Sequence, residues 1–200
     1  MQYSLSALVF SAVLCAAHAS AAAQVQSRTS AMEDSNNSGS YWSTTLLGGV
    51  IVPLGTMTDS HRRSLAAGLR VGWTSRVGLG VDVIGGYSPV SRSDIADGQR
   101  ADSHLIGGMV MPRFTLGRGS VRAWVAAGAG LAFQRTNVVA GTETVATSND
   151  VAMSADAALA VELHPISGVG LALVSSYHRG LIGEPFEFVN LTAGLTFTFQ

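Results

Sequence analysis

Ser175-Ser176-Tyr177-His178-Arg179 stands near the carboxyl end of the chain, with Glu184 and Glu187 following it. A serine hydroxyl, an imidazole and a carboxylate are the ingredients of acyl transfer: the imidazole takes the serine proton while the carboxylate orients the imidazole. In an extended strand Ser176 and His178 share one face, because side chains alternate. Polar residues at a strand end are also commonplace without any chemistry, and that plainer use is the first expectation here.

A second group of chemically capable residues is Arg70, Asp82, Arg113, Arg122, Asp156 and Glu162, each in the middle of an apolar stretch. Three cations and three anions in a space too narrow for bulk water neutralise one another and stiffen their surroundings. In a wider space they line a path for ions. A packed charge network is the first expectation and a narrow path the second.

Other site chemistry is not expected. His61, His104, His164 and His178 are scattered without the close spacing of a zinc helix or finger, and are expected in solvent or at an interface. Gly78-Leu79-Gly80 and Gly128-Ala129-Gly130 lie within strands, with no helix behind them to cradle a phosphate. Cys15, the only cysteine, falls in a leader segment, so the remainder has no thiol. No catalytic, cofactor-binding or metal residue is assigned, and the chain is expected not to be an enzyme.

The elements that position these residues are strands. In the final stretch Val189, Leu191, Ala193, Leu195, Phe197 and Phe199 fall on one face, while Asn190, Thr192, Gly194, Thr196 and Thr198 fall on the other. Similar runs at 41–53, 65–74, 77–89, 103–116, 121–135, 150–163 and 168–179 make eight strands with 187–199. Bulky neighbours set the phase of each. Leu69, Val71 and Trp73 put Arg70 on the opposite face, and the other five charges fall opposite the apolar residues of their strands in the same way. An arginine facing lipid at mid-bilayer costs about 2–4 kcal/mol, which gives that segregation a reason. The first strand is ambiguous, with Trp42, Leu46, Val50 and Val52 in one phase and Leu47 and Ile51 in the other.

A water-facing sheet would hide its apolar face under a second layer, and no such layer is predicted, so lipid is the expected solvent. The connections Leu54–Ser64, Ser75–Arg76, Val90–Asp102, Gly117–Ser120, Thr136–Asn149, His164–Ser167 and Gly180–Phe186 alternate long and short, as outer loops and periplasmic turns do. Trp42, Trp73, Phe114, Phe197 and Phe199 fall near the periplasmic ends of their strands, and Tyr87, Phe133 and Tyr177 near the outer ends, as two interfacial girdles. Trp124 alone points inward, as a core plug. The longest loops, Val90–Asp102 and Thr136–Asn149, with Arg92, Asp94, Asp97, Arg100, Asp102 and Glu143, are the expected contact surface for a ligand of unknown kind.

Composition bounds the classes. At 47% hydrophobic and 12% charged the chain is apolar for a soluble domain, yet no apolar run beyond the leader is long enough for a membrane helix. A net charge of -1 gives no field for nucleic acid. Residues 1–23 read as a cleaved secretory signal peptide, with Ala17-His18-Ala19 or Ala21-Ala22-Ala23 at the cleavage site. Residues 24–40, rich in Ser, Asn and Gln, read as a flexible periplasmic lead-in, and 41–200 as an all-β, eight-stranded antiparallel up-and-down transmembrane barrel.

These features together resemble the small outer-membrane barrels of Gram-negative bacteria, the OmpA-like and OmpX-like group, over Tyr41 to Gln200. The resemblance implies an outer-membrane location, contact with lipid and lipopolysaccharide, and recognition of the final strand by the barrel-assembly machinery. Leu191, Ala193, Leu195, Phe197 and Phe199 match that strand's alternation, with Gln200 placed after the terminal aromatic. No peptidoglycan-binding domain is expected behind the barrel. The eight-stranded lipid A deacylases are similar in architecture, but their histidine precedes x-Ser-Asn, whereas here Ser176 precedes His178 and both face inward. A structural or surface-interaction role is therefore expected first, a narrow porin-like channel second and a lipid-modifying acyl hydrolase third.

Overall fold

The computed structural model describes residues 39–199, apart from 56, 93–98, 118, 141 and 183–185. The expected signal peptide and nearly all of the lead-in lie outside the described residues. Eight strands close into one antiparallel barrel in sequence order: β1 (Tyr41–Pro53), β2 (Ser64–Thr74), β3 (Leu79–Arg92), β4 (Gln99–Leu116), β5 (Val121–Ala140), β6 (Glu143–Ile166), β7 (Val169–Ile182) and β8 (Glu187–Phe199). A four-residue helical turn, α1 (Met57–Ser60), lies between β1 and β2.

The stagger of the strands follows from their pairing. Tyr41 pairs with Thr74, and the partners continue through Gly80, Arg113, Ala126, Ala158, Ser176 and Asn190 to Ile51. One circuit thus ends ten residues further along β1. Eight strands with that shear tilt by roughly 40–45° from the barrel axis, and side chains fill much of the interior.

Alternation sorts the chain into two environments. Val71, Val83 and Val110 form one paired row on the outside, and the bulky residues of every strand follow them there. Arg70, Asp82, Met111, Arg113, Trp124, Asp156 and Glu162 are buried inside. The ambiguous first strand resolves with Trp42, Leu46 and Val50 outside, while Leu47 and Ile51 point inward.

Two expectations about loops need correction. Thr136–Asn149, expected as a loop, is almost all strand, because β5 and β6 continue as a paired hairpin through Ala140 and Glu143. Polar residues such as Thr144, Thr147 and Ser148 read as loop in the sequence, but ladder hydrogen bonds do not require an apolar face. The hairpin has a paired edge on β4 through Gln99 and Ala140. On its other side, among the described residues, pairing with β7 begins at Met153, so Glu143–Ala152 pair there with β5 alone. Val90–Asp102 is shortened likewise, with pairing through Arg92 and Ala101. Asp94 and Asp97 lie outside the described residues.

The short connections lie at the other end, where Gly78 adopts a φ of 87° that closes the turn after Ser75. Inside, the coiled strands approach closely enough to demand glycine. A Cβ on inward-facing Gly49 would overlap the Leu191 carbonyl oxygen, whereas one on its neighbour Gly48, facing outward, meets nothing within 4 Å. Gly49→Ala is therefore expected to lower unfolding stability by about 1–3 kcal/mol through overpacking, and Gly48→Ala to leave it unchanged or raise it slightly. Denaturant titration of the two variants folded in detergent micelles measures the difference.

Candidate functional site

The lumen contains three layers. Nearest the short turns, β2, β3, β4 and β6 bring Arg70, Asp82, Arg113 and Glu162 together around Trp124 of β5. Arg70 reaches Glu162 Oε1 at 2.5 Å and Asp82 Oδ2 at 3.6 Å, and Arg113 reaches Asp82 Oδ1 at 3.2 Å. Trp124 donates its indole N–H to Glu162 Oε1 at 2.8 Å, with the Arg70 guanidinium 4.8 Å from the ring centroid and that of Arg113 at 5.7 Å. Arg70 also donates to Thr45 Oγ1 at 2.8 Å, which contacts Thr196 Oγ1 at 2.9 Å. Arg113 donates to Thr74. Two arginines and two carboxylates balance formally, and each arginine has more than one partner.

Four of the six expected charges form this network; the other two do not. Arg122 pairs in register with Glu162 across β5 and β6, but its guanidinium lies 4.8 Å from the Tyr41 ring centroid, and its Nε donates to the Gly119 carbonyl at 3.3 Å. It stands too near the turn end to need burial, so its long side chain reaches the mouth of the barrel. Asp156 belongs to a separate cluster in the loop half.

Between the two clusters lies an apolar layer of Met111, Ala126, Ala158, Ala160, Ala172 and Val174, with Leu47, Ile84 and Met109 packed against it. Leu47 and Ile84 therefore have a clear inward role that the sequence left open for Leu47.

Above that layer β6, β7 and β8 build the polar cluster. Register places Asp156 opposite His178 and Ser176 opposite Asn190. His178 Nδ1 lies 2.6 Å from Asp156 Oδ1, and its Nε2 lies 2.8 Å from Ser176 Oγ. Ser154 donates to Asp156 Oδ2 at 2.9 Å, and the Asn190 amide nitrogen lies 3.1 Å from the same Nε2. The His178 ring stacks on Phe188 at 4.6 Å. With the carboxylate ionised, Nδ1 carries a proton and Nε2 accepts from the serine, which is the tautomer a general base requires. Ser176 and His178 line a cavity of about 90 Å³ whose other walls include Ile51, Ile84, Met109 and Phe188.

The acid in this cluster was not foreseen. Glu187 instead accepts a hydrogen bond from Tyr177 at 2.7 Å, and Glu184 lies outside the described residues. Asp156 and His178 are far apart in sequence, and only the register of β6 against β7 joins them. The histidine expectation also changes: His164 and His178 are buried in the lumen, His164 against Glu162 Oε2 at 3.2 Å. Gly170 leaves room for the His164 ring, which a Cβ would approach within 2.7 Å. Among the described residues no group of His, Cys, Asp or Glu is arranged to hold a metal ion.

The aromatic residues expected as girdles lie on the outer face, while Trp124 and Phe188 are buried in the lumen. Phe199, Trp42 and Trp73 are adjacent across β8, β1 and β2 at the turn end, with Phe114 beside Leu79 and Phe197 beside Val169. Tyr87 and Phe133 flank Ile106 towards the loop end, where Tyr177 pairs with Val189.

No protein-family model and no curated protein sequence matches the chain. Solved structures do match its fold. A major outer-membrane protein from Thermus thermophilus superposes with a TM-score of 0.58 at 10% identity, covering 80% of this chain and 99% of that one. The Neisserial surface protein A gives 0.53 at 15% identity, covering 80% and 97%. The attachment invasion locus protein of Yersinia pestis gives 0.52 at 12% identity, covering 80% and 99%. The chain thus has the closed eight-stranded barrel fold seen in these bacterial outer-membrane proteins.

Proposed function

We propose that the protein is an integral outer-membrane barrel, exported through a cleaved signal peptide, with a structural and surface-contact role and a lumen sealed on the periplasmic side. The observation that carries this reading is the buried network of Arg70, Asp82, Arg113, Glu162 and Trp124. Its members come from five strands and meet in the half of the lumen nearest the short turns, each no more than 3% exposed. A path for ions needs mobile, hydrated groups. Here the charges are committed to one another and capped by a layer of methyl and methionine side chains. The extended hairpin of β5 and β6 is then the surface that reaches furthest from the membrane, with Glu143, Thr144 and Val145 exposed near its tip. The ligand it contacts is not assigned.

Lipid supplies the solvent for the outside. Val83, Leu131, Leu173 and Leu195 are all exposed and outward-facing, a surface that water would penalise and acyl chains accept. The aromatic rows at both ends suit the two interfaces. Lipopolysaccharide is the expected neighbour at the outer rim, and the alternation of β8 ending at Phe199 suits recognition by the barrel-assembly machinery.

Four outcomes test this reading. The native protein in planar bilayers is expected to give no discrete conductance; steps that change with Arg70→Ala would establish the channel reading in its place. In vesicles, Val83→Arg is expected to lower stability by about 2–4 kcal/mol, against less than about 0.5 kcal/mol for a water-facing surface position. Arg70→Ala is expected to cost about 3–5 kcal/mol by leaving buried carboxylates without their cation. Arg122→Ala, which loses a contact with Tyr41 at the barrel mouth, is expected to cost no more than about 1 kcal/mol. Urea titration monitored by tryptophan fluorescence reads all three stabilities.

A further inference from the structure

We propose that Ser176 is an activated nucleophile, with His178 as its general base and Asp156 as the residue that positions the imidazole, acting on short-chain carboxylic esters that enter the lumen from the loop end. Three observations support the assignment. The hydrogen bonds run continuously from Asp156 through Nδ1 and Nε2 to Ser176 Oγ, at 2.6 and 2.8 Å. The Ser176–His178 link is short enough for direct proton transfer, and the Asp156–His178 link for orientation of the imidazole. The serine opens onto a cavity whose walls are mostly aliphatic and aromatic, as an acyl chain requires. Asn190, directly opposite Ser176 in the ladder, lines the same cavity and has its Oδ1 buried without a hydrogen-bond partner. That oxygen is an acceptor, satisfied by an O–H donor in the cavity such as the departing alcohol or the water that cleaves the acyl-serine.

The chemistry balances without a further co-reactant other than water. Ser176 Oγ forms a bond to the ester carbonyl carbon as its proton passes to His178 Nε2, and the carbonyl π electrons move to oxygen. The Asn190 amide N–H, adjacent to the serine, donates to that oxyanion. Collapse of the intermediate breaks the carbon–oxygen bond of the alcohol, which leaves with the proton from Nε2. Water then repeats the sequence on the acyl-serine, with His178 taking a proton from water and returning it to Ser176, so that a carboxylic acid leaves. Asp156 keeps its charge throughout and stabilises the imidazolium formed in each step.

The arrangement differs from a surface triad in facing the lumen. The apolar layer beneath it closes the way to the periplasmic side, so substrate enters and product leaves by one mouth. The small space favours a chain of few carbons over a long one. Ser154 holds the second oxygen of Asp156 and keeps the carboxylate aimed at Nδ1. Phe188 stacks on the imidazole and limits its rotation.

The full chain folded into detergent micelles is the material for the test, with the heat-dependent gel shift of each sample confirming a closed barrel. A fluorophosphonate probe followed by peptide mass spectrometry is expected to find its adduct on Ser176, together with hydrolysis of p-nitrophenyl acetate faster than that of the octanoate. Ser176→Ala should abolish both without loss of the gel shift, since it removes only a hydroxyl. Asp156→Asn should lower kcat at least about 100-fold with KM little changed, because the amide reverses the imidazole tautomer. No adduct on Ser176, or labelling and hydrolysis undiminished in Asp156→Asn, would overturn the proposal. Loss of the gel shift in native samples would instead sink the barrel reading, a distinct failure.

Discussion

Closing eight strands with a ten-residue stagger fixes a lumen on the order of 16 Å across between backbones, and nearly everything else follows from that width. Side chains reach the axis from every wall, so each inward residue meets residues from strands remote in sequence. A polar group placed there finds a partner or stays orphaned. The barrel answers with layers: a compensated ion network, an aliphatic partition, then a hydrogen-bonded cluster under the outer mouth. Glycine enters wherever the coil brings backbones too close, as at Gly49, or where a neighbour needs the volume, as Gly170 does for His164.

The layering separates two kinds of polar interior. In the lower cluster Trp124 supplies both an indole N–H to Glu162 and an aromatic surface to Arg70 and Arg113, so one side chain serves three charged groups. Removing such charges from water is costly, and it is the number of partners per group that offsets the cost. The upper cluster carries one carboxylate and one imidazole beside open space. Its geometry is kept by neighbours such as Ser154 and Phe188 rather than by close packing on every side. The first arrangement suits rigidity, the second suits a ligand.

Much of this was legible in the residues. Period-two alternation located the eight strands, and the opposition of Arg70 to Leu69 and Val71 gave its inward phase without any knowledge of partners. Partners were not legible, because they depend on stagger. Arg122 faces Glu162 in register yet escapes to Tyr41 at the mouth, a choice made by distance from the barrel end. Asp156 and His178 meet only through the register of β6 on β7. The hairpin beyond Thr136 has the sequence of a loop because strands in water need no apolar face, so the signal that marks a lipid-facing strand disappears there. Leu47 and Ile51 blurred the phase of β1 because the lumen itself has an apolar layer, and a purely polar interior was the simpler assumption.

The ion network draws on strands from both ends of the sequence: Thr45 of β1 accepts from Arg70 and contacts Thr196 of β8 across the seam where the sheet closes. It therefore cannot be complete while the seam is open, whatever order the hairpins form in. Interactions that arise only after closure contribute little to the rate of folding and most to the barrier against reopening. The seam then behaves as a latch: a barrel that has closed stays closed for a time set by these buried contacts, and persistence in a membrane becomes a property of kinetics more than of equilibrium.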